Sequence, residues 1–152
     1  MAASSSLNQT LPEQKEAIWQ YILSNHVMSI SAWEQEDSWS ANLFYAADIL
    51  QDGVYVMTSK LTHHGQLMQK NAVVSGTISE QTEDLTQLKG IQFLGIATIL
   101  PGGLIQNALS VYQQRFPEAK ERQETLWKIA FTRLKFTDNS LGFGTKMNWQ
   151  QG

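Results

Sequence analysis

Apolar residues recur with two different periods along the chain, and the change of period marks where a helix gives way to strands. Within residues 11–25, four apolar side chains form one stripe at helical spacing: Ile18, Trp19, Ile22 and Leu23. A helix is therefore expected there, with Pro12 tolerated in its first turn. The period then falls to two, so that Met28, Ile30 and Ala32 share one face of a strand.

Short strands separated by turn signals dominate the rest of the pattern. Strands are expected over residues 26–33, 38–46, 54–58, 72–78, 89–100, 127–136 and 146–149. Further helices are expected only over residues 62–69 and 104–116, and Gly95 marks a bend or bulge in the long fifth strand. Because no regular alternation of strands and helices occurs, the chain is expected to be mainly β (an α+β protein). The predicted architecture is a six- to seven-stranded antiparallel split β-barrel with a few flanking helices.

Length and composition narrow the class of protein. The 152 residues suit a single domain, expected over residues 11–152 after a disordered arm at residues 1–10. The absence of cysteine excludes disulfides, thiolate catalysis and Cys-ligated metal sites. A net charge of −3 without any basic run argues against a nucleic-acid partner. Neither a signal peptide nor a membrane-spanning apolar run is visible, so a cytoplasmic protein without a membrane partner is expected.

The segment with the most distinctive chemistry is residues 57–65, where the third predicted strand meets the short helix. Thr62 is placed at the helix N-cap, which puts His63 and His64 in the first turn. A helix N-terminus carries partial positive charge and normally attracts acidic residues. Here Lys60 and the two histidines stand at that end instead.

No carboxylate occurs between Val54 and Val74 to balance this charge. A bound phosphate accounts for the arrangement, since backbone N–H groups, the basic side chains and the hydroxyls of Thr58, Ser59 and Thr62 can converge on it. Solvated histidines on a surface helix account for it equally well. A metal site is the weaker alternative, because neighbouring helical residues point about 100° apart.

A second segment, residues 39–45, alternates small and aromatic side chains. A flat ring can approach the backbone beside such small residues, although ordinary core packing explains Trp39, Leu43 and Phe44 as well. Asn42 is the exception, because a polar residue flanked by apolar ones in a strand needs a hydrogen-bond partner.

Three other features of the sequence give weaker indications of function. The Gly142-Phe143-Gly144 run follows a turn, so it does not match a dinucleotide-binding fingerprint. His26, where a helix meets a strand, is expected to act as a terminal cap. The serines have no evident His and Asp partners, and no catalytic residue is identified.

These segments together resemble the pyridoxamine 5′-phosphate oxidase-like proteins, the FMN-binding split-barrel superfamily. Within it, the chain looks most similar to a small subgroup of functionally uncharacterised bacterial proteins. The resemblance covers residues 11–149, and its most specific parts are residues 42–45, 62–64, 89–95, 115–117 and 135–144.

The resemblance implies a homodimer that binds two FMN molecules at the subunit interface. It places the flavin ring beside Ala41, Asn42, Leu43 and Phe44. It places the phosphate at the strand-to-helix junction with Thr58, Ser59, Lys60, Thr62 and His64, the place chosen independently by the charge argument. Gln92 resembles a position that reaches the flavin, from the partner subunit.

Departures from the oxidases limit what the resemblance implies. The Arg-rich strand, the Ser-Arg-Lys phosphate motif and the Arg-x-His substrate motif of the true oxidases are missing, so oxidation of pyridoxine phosphate is not expected. Three functions remain open at this point. The first is an FMN-dependent oxidoreductase acting on a small organic substrate. The others are a non-catalytic dimer that binds or senses FMN or another planar ligand, and a degenerate barrel without cofactor.

Overall fold

A computed structural model describes residues 9–152, so most of the arm predicted at residues 1–10 lies outside the described residues. Within residues 9–152 there are three α-helices: α1 (Leu11–Ser24), α2 (His63–Lys70) and α3 (Gly102–Arg115). Seven strands are present: β1 (Val27–Glu34), β2 (Asp37–Asp48), β3 (Gly53–Met57), β4 (Val73–Ile78), β5 (Lys89–Ile99), β6 (Leu126–Asp138) and β7 (Lys146–Gln150). Thr10 and Glu13 form a reciprocal capping box that starts α1, with Pro12 in the first turn as expected.

All seven strands form one antiparallel sheet in the order β3-β2-β1-β4-β5-β6-β7. The sheet closes into a barrel because β3 also pairs with the first half of β6, from Leu126 to Ala130. The second half of β6 pairs instead with β7. The predicted fold class, a mainly β protein with an antiparallel split barrel and flanking helices, is confirmed.

The main core fills the barrel interior. The period-two pattern of β1 is confirmed, since Met28, Ile30 and Ala32 are all buried. Helix α1 contributes Ile18 and Ile22 to the same core. At Gly95 the register between β5 and β6 shifts, as the isolated glycine predicted. A Cβ atom there would lie 2.9 Å from the carbonyl oxygen of Ala130, so the close approach of the two strands requires glycine.

A second core lies outside the barrel, where α3 packs on β2 and β3. Its buried residues are Ala46, Tyr55, Leu100, Ala108, Tyr112 and Leu126. The apolar stripe predicted for α3 is correct at Ala108 and Tyr112 but wrong at Leu104, which is exposed. The reason is that the first turn of α3 projects beyond the strands it covers, since a Cβ atom on Gly102 or Gly103 would meet nothing within 4 Å.

No helix within residues 9–152 combines the length and the hydropathy that crossing a membrane requires.

Candidate functional site

The junction between β3 and α2 folds as a tight loop, here called the junction loop (residues 58–62). Thr62 is the N-cap of α2, as predicted, because its Oγ1 atom accepts a hydrogen bond from the Gly65 amide at 3.0 Å. The same hydroxyl donates to the carbonyl oxygen of Ser59 at 2.8 Å. The loop is therefore tied to the first turn of the helix.

Gly65 allows this loop to lie against the helix. A Cβ atom at Gly65 would come within 2.3 Å of the Ser59 carbonyl oxygen and 2.8 Å of Thr62 Oγ1. Both atoms belong to the loop, so any larger side chain must displace it. The glycine therefore allows the loop to pack directly against the start of the helix.

The amides of His63 and His64 have no hydrogen-bond partner among residues 9–152. They are the first two N–H groups of α2, which an α-helix leaves without intrahelical partners. Ser59, in the same loop, accepts a hydrogen bond from the Leu61 amide through its Oγ atom and has its hydroxyl hydrogen available. The junction therefore offers free donors at the start of α2.

His64 lies inside the structure. Its ring is buried, and its Nε2 atom lies 2.8 Å from Thr58 Oγ1 and 3.2 Å from Thr62 Oγ1. Burial, and to a smaller extent the neighbouring His63, lowers the pKa of His64 below its ordinary value. The neutral imidazole therefore holds the two threonines of the junction loop together.

His63 points the other way, toward the hairpin between β1 and β2. Its Nε2 atom lies 2.9 Å from both carboxylate oxygens of Asp37, and its ring stacks on Trp39 with centroids 5.0 Å apart. Neither residue was predicted to approach α2. Asp37 supplies the negative charge that the sequence around the junction lacks, and only the acidic composition of the predicted hairpin turn hinted at it.

Lys60 has no counter-ion among the described residues. Its side chain is exposed, and neither of the two salt bridges found in residues 9–152 includes it. Its ammonium group and the free amides at the start of α2 therefore keep positive potential at the junction loop, while Asp37 offsets the charge of His63 when that histidine is protonated.

The candidate residues of β2 divide between the two faces of the sheet. Ala41 and Leu43 pair with Ile30 and Met28 of β1 and pack against the barrel core. Asn42 and Phe44 point to the outer face, meaning the face turned away from the barrel interior, and are exposed. A ligand on the outer face can thus reach the side chains of Asn42 and Phe44 but only the backbone of Ala41 and Leu43.

Gln92 lies on the same outer face as Asn42 but three strands away. Cross-strand pairing runs from Asn42 to Ser29, then to Thr77, then to Gln92. Neighbouring strands are about 4.8 Å apart, so roughly 14 Å of sheet separates the two ends of this row. The structure places both residues on one polar face without bringing them into contact.

His26 has a different partner from the backbone cap expected. Nη2 of Arg115 donates to its Nδ1 atom at 2.8 Å and to the carbonyl oxygen of Asn25 at 3.0 Å. Gly142 and Gly144 have positive φ angles of 122° and 78°, so this segment is a turn as expected. Within residues 9–152, no three His, Asp or Glu side chains lie close enough together to hold a metal ion.

Comparison with solved structures finds the same architecture in proteins of low sequence identity. A heme binding protein from Mycobacterium smegmatis superposes with a TM-score of 0.75 and 16% identity, over 95% of this chain and 59% of that protein. An FAD-binding protein from Mesorhizobium loti gives 0.67 and 13%, over 80% and 91%. The heme storage protein HutZ from Vibrio cholerae gives 0.66 and 15%, over 76% and 88%. At these identities the likeness shows the fold alone.

Sequence relatives are closer. No protein-family model matches the chain. A UPF0306 protein from Serratia proteamaculans is 36% identical over 137 residues, which cover 90% of this chain and 95% of the relative. A UPF0306 protein from Yersinia pseudotuberculosis is 36% identical over 140 residues, covering 92% and 95%. The chain therefore belongs to the UPF0306 family of bacterial proteins.

Proposed function

We propose that this chain is a cytoplasmic flavin-binding protein that holds the phosphate of FMN at the junction loop. The observation that carries the proposal is the pair of unpartnered amides of His63 and His64 at the start of α2, together with Lys60, a cation in the junction loop that forms no salt bridge among the described residues. Backbone donors at a helix start together with a cation are the usual environment of a protein-bound phosphate. Thr58, Thr62 and His64 support the loop from behind through buried hydrogen bonds.

The flavin ring is proposed to lie on the outer face along β2, against Asn42 and the backbone of Ala41 and Leu43, with Phe44 at one end. The amide of Asn42 makes no hydrogen bond within the described part of the chain, so it is available to a ring carbonyl or nitrogen. The structural likeness to the FAD-binding protein from Mesorhizobium loti supports a flavin on this fold.

A homodimer completes the proposed site. Gln92 lies too far from Asn42 within one chain to share a ring edge with it, yet both lie on the same uncovered outer face. Pairing two copies through this face brings Gln92 of the partner subunit to the ring. The resemblance to the pyridoxamine 5′-phosphate oxidase-like superfamily supports this arrangement.

The proposed activity is an oxidoreductase reaction on a small organic substrate. Bound FMN supplies two-electron transfer, while the chain supplies binding and hydrogen bonds to the ring. Nε2 of neutral His64 contacts two threonine hydroxyls, and Nε2 of His63 contacts Asp37, so both rings have structural partners and the proposed reaction assigns neither of them an acid–base role. A non-catalytic dimer that binds or senses FMN fits the same site, and reduction kinetics separate the two.

Haem is the second candidate ligand, and one contact favours it. Asp37 orients His63 through Nε2 and leaves Nδ1 available, and a carboxylate on the second ring nitrogen is typical of metal-bound histidines. Two structural neighbours are described as binding or storing heme. FMN remains the first candidate, because its dianionic phosphate offers the free amides and Lys60 of the junction loop more charge and more acceptor oxygens than either propionate of haem, and because the sequence resembles an FMN-binding superfamily.

Absorption spectra of the purified protein, and of protein mixed with FMN or with hemin, test these alternatives. We expect the two visible bands of oxidised flavin and an affinity for FMN well above that for riboflavin, which lacks the phosphate. Equal affinity for both contradicts the phosphate site. A Soret band on mixing with hemin, without FMN binding, assigns the site to haem, and failure to bind either leaves a barrel without cofactor.

Anaerobic titration of the FMN-loaded protein with NADH and NADPH tests the activity. Reduction much faster than that of free FMN supports an oxidoreductase. Reduction at the rate of free FMN, with tight binding retained, assigns the chain to the non-catalytic class.

A further inference from the structure

An aromatic groove adjoins the proposed ring site, at the edge of the second core, and neither the fold nor the proposed cofactor fills it. It has a volume of 440 Å³ and lies between the outer face of β2 and the segment that follows α3. Its floor and walls are apolar: Phe44, Met57, Tyr112, Phe116 and Ala119. Volumes of about 300–1,000 Å³ are typical of small-molecule sites in proteins.

The walls of the groove suit a flat ring. Phe44 meets Phe116 edge-on at 5.4 Å, and Phe116 meets Tyr112 at 5.1 Å, so the three rings form a continuous aromatic surface. Phe44 nevertheless remains 58% exposed, which leaves one of its faces free for stacking. Met57 is only half-buried, and its flexible thioether adapts to the shape of a guest.

Position links the groove to the proposed cofactor. Met57 is the last residue of β3 and directly precedes the junction loop. Phe44 lies two residues from Asn42 on the same face of β2, which is about 7 Å along the strand. A molecule in the groove is thus next to a flavin ring lying on Asn42.

The rim and the walls differ in what they disfavour. The rim carries Glu118, Glu124 and Arg122, whose formal charges sum to −1 and therefore disfavour an anion. The apolar floor and walls favour an uncharged ring over a charged group of either sign, which would have to leave water. Burial, followed by the nearby Glu118, raises the pKa of Tyr112, so the same surroundings resist negative charge on a ring.

We propose that the groove binds the substrate of the flavin site, and that this substrate is an uncharged, planar aromatic molecule. The assignment of the groove as a substrate site rests on the proposed flavin function, whereas its preference for a neutral ring rests on its own walls and rim.

Methyl NMR of the FMN-loaded protein, labelled with ¹³C at the methionine methyl groups, tests the proposal with 2-naphthol as the neutral probe. Met57 lines the groove, whereas Met28, Met68 and Met147 are at most 2% exposed inside the barrel. We expect the Met57 resonance, assigned with Met57→Leu, to shift on titration while those three stay in place. A shift confined to other methionines overturns the proposal.

Two further comparisons sharpen the test. Ala119→Trp fills the groove and is expected to weaken 2-naphthol binding at least about tenfold, whereas Ser110→Trp, on the exposed side of α3, is expected to leave it unchanged. Ala119→Leu serves as a smaller filler if the tryptophan variant does not fold. Unaltered binding in a folded Ala119 variant overturns the groove as the site.

Charged analogues of the same size test the substrate class. We expect 2-naphthoate and 2-naphthylmethylammonium to bind more weakly than 2-naphthol, and tighter binding of either ion overturns the neutral class. FMN binding is followed in parallel by absorption. If the protein binds FMN but not 2-naphthol, the assignment of the groove as a substrate site is overturned and the flavin function stands. If the protein does not bind FMN, both the flavin function and the substrate role of the groove are overturned.

Discussion

The Nε2 atom of His64 lies 2.8 Å from the Oγ1 atom of Thr58, and this buried contact joins the first turn of α2 to the residue that follows β3. The same nitrogen lies 3.2 Å from Thr62 Oγ1, so one imidazole connects both ends of the junction loop. The residue that resembles a phosphate ligand therefore acts as a brace behind the loop, and its effect on a ligand passes through loop geometry.

Replacing His64 with Gln is expected to change how stability depends on pH. The pKa of His64 is lowered in the folded state from its ordinary value of 6.5, so its contribution is complete above pH 6.5. As the pH falls below 6.5, His64 is protonated in the unfolded chain but stays neutral in the folded one. The free energy of unfolding therefore decreases until the pH reaches the lowered folded-state pKa. Urea unfolding from pH 7.5 to 5 should show a shallower loss in His64→Gln than in wild type.

The hydrogen bonds lost in His64→Gln are expected to cost about 1–2 kcal/mol at pH 7.5. Parallel pH profiles for the two proteins contradict the buried, neutral assignment of His64.

Gly65→Ala is expected to displace the junction loop. The added methyl group would lie 2.3 Å from the Ser59 carbonyl oxygen, a distance that requires the backbone to move. We expect a loss of about 1–3 kcal/mol in unfolding free energy and weaker FMN binding. Gly103→Ala is the matched control, because a Cβ atom there meets nothing within 4 Å in the first turn of α3.

The control is expected to stabilise the protein by up to about 1 kcal/mol, since alanine favours a helix over glycine. If Gly65→Ala binds FMN as tightly as Gly103→Ala does, the loop does not hold the phosphate.

Charge reversal at Lys60, just before α2, tests the phosphate site, and charge reversal at the opposite end of that helix provides the control. Lys60→Glu places a carboxylate beside the free amides at the start of α2, whereas Lys70→Glu places one in its last turn. We expect the first to weaken FMN binding roughly tenfold or more and the second to leave binding nearly unchanged. Riboflavin titrations should be insensitive to both changes, and a parallel loss of riboflavin binding contradicts a phosphate contact.

Local sequence patterns predicted the parts of this site that depend on neighbours along the chain. The N-cap at Thr62 follows from a hydroxyl residue at the start of a short helix, and it is confirmed by the bond to the Gly65 amide. The period of two in the apolar residues predicts which side of β1 faces the barrel interior, and the burial of Met28 and Ile30 confirms it. Both predictions need only local backbone geometry.

The remaining features depend on which segments meet in three dimensions. Asp37 reaches His63 across 26 residues, because the β1–β2 hairpin extends over α2, and no local pattern encodes that approach. Adjacent helical positions point about 100° apart, so His63 and His64 were expected to differ in surroundings, but only packing against Thr58 decides that His64 is the buried one. Likewise, the stripe on α3 did not reveal that the first turn of this helix is uncovered and leaves Leu104 exposed.

Asp37→Asn is expected to strengthen FMN binding while changing stability little. The carboxylate pairs with His63 at an exposed site, and such pairs contribute about 0–1 kcal/mol. The negative charge of Asp37, however, lies against His63, the residue that directly precedes His64 and its free amide. Removing it should lower the Kd for FMN roughly two- to fivefold at low salt, with the difference shrinking as salt is added. Glu36→Gln in the same hairpin is the control, and an equal gain there assigns the effect to net charge alone.

The separation of Asn42 and Gln92 predicts that each flavin site draws on two subunits. Asn42→Ala and Gln92→Ala should each weaken FMN binding in homodimers, because every site then lacks one ring contact. When the two variants are unfolded together at equal concentration and refolded, half of the dimers are mixed, and each mixed dimer contains one site with both residues intact. About one quarter of all sites should then regain wild-type affinity.

If a titration shows no high-affinity FMN sites after mixing, both contacts come from a single chain, which the roughly 14 Å between Asn42 and Gln92 opposes. Size-exclusion chromatography with light scattering provides the accompanying check, since a monomeric wild-type protein removes the shared site altogether.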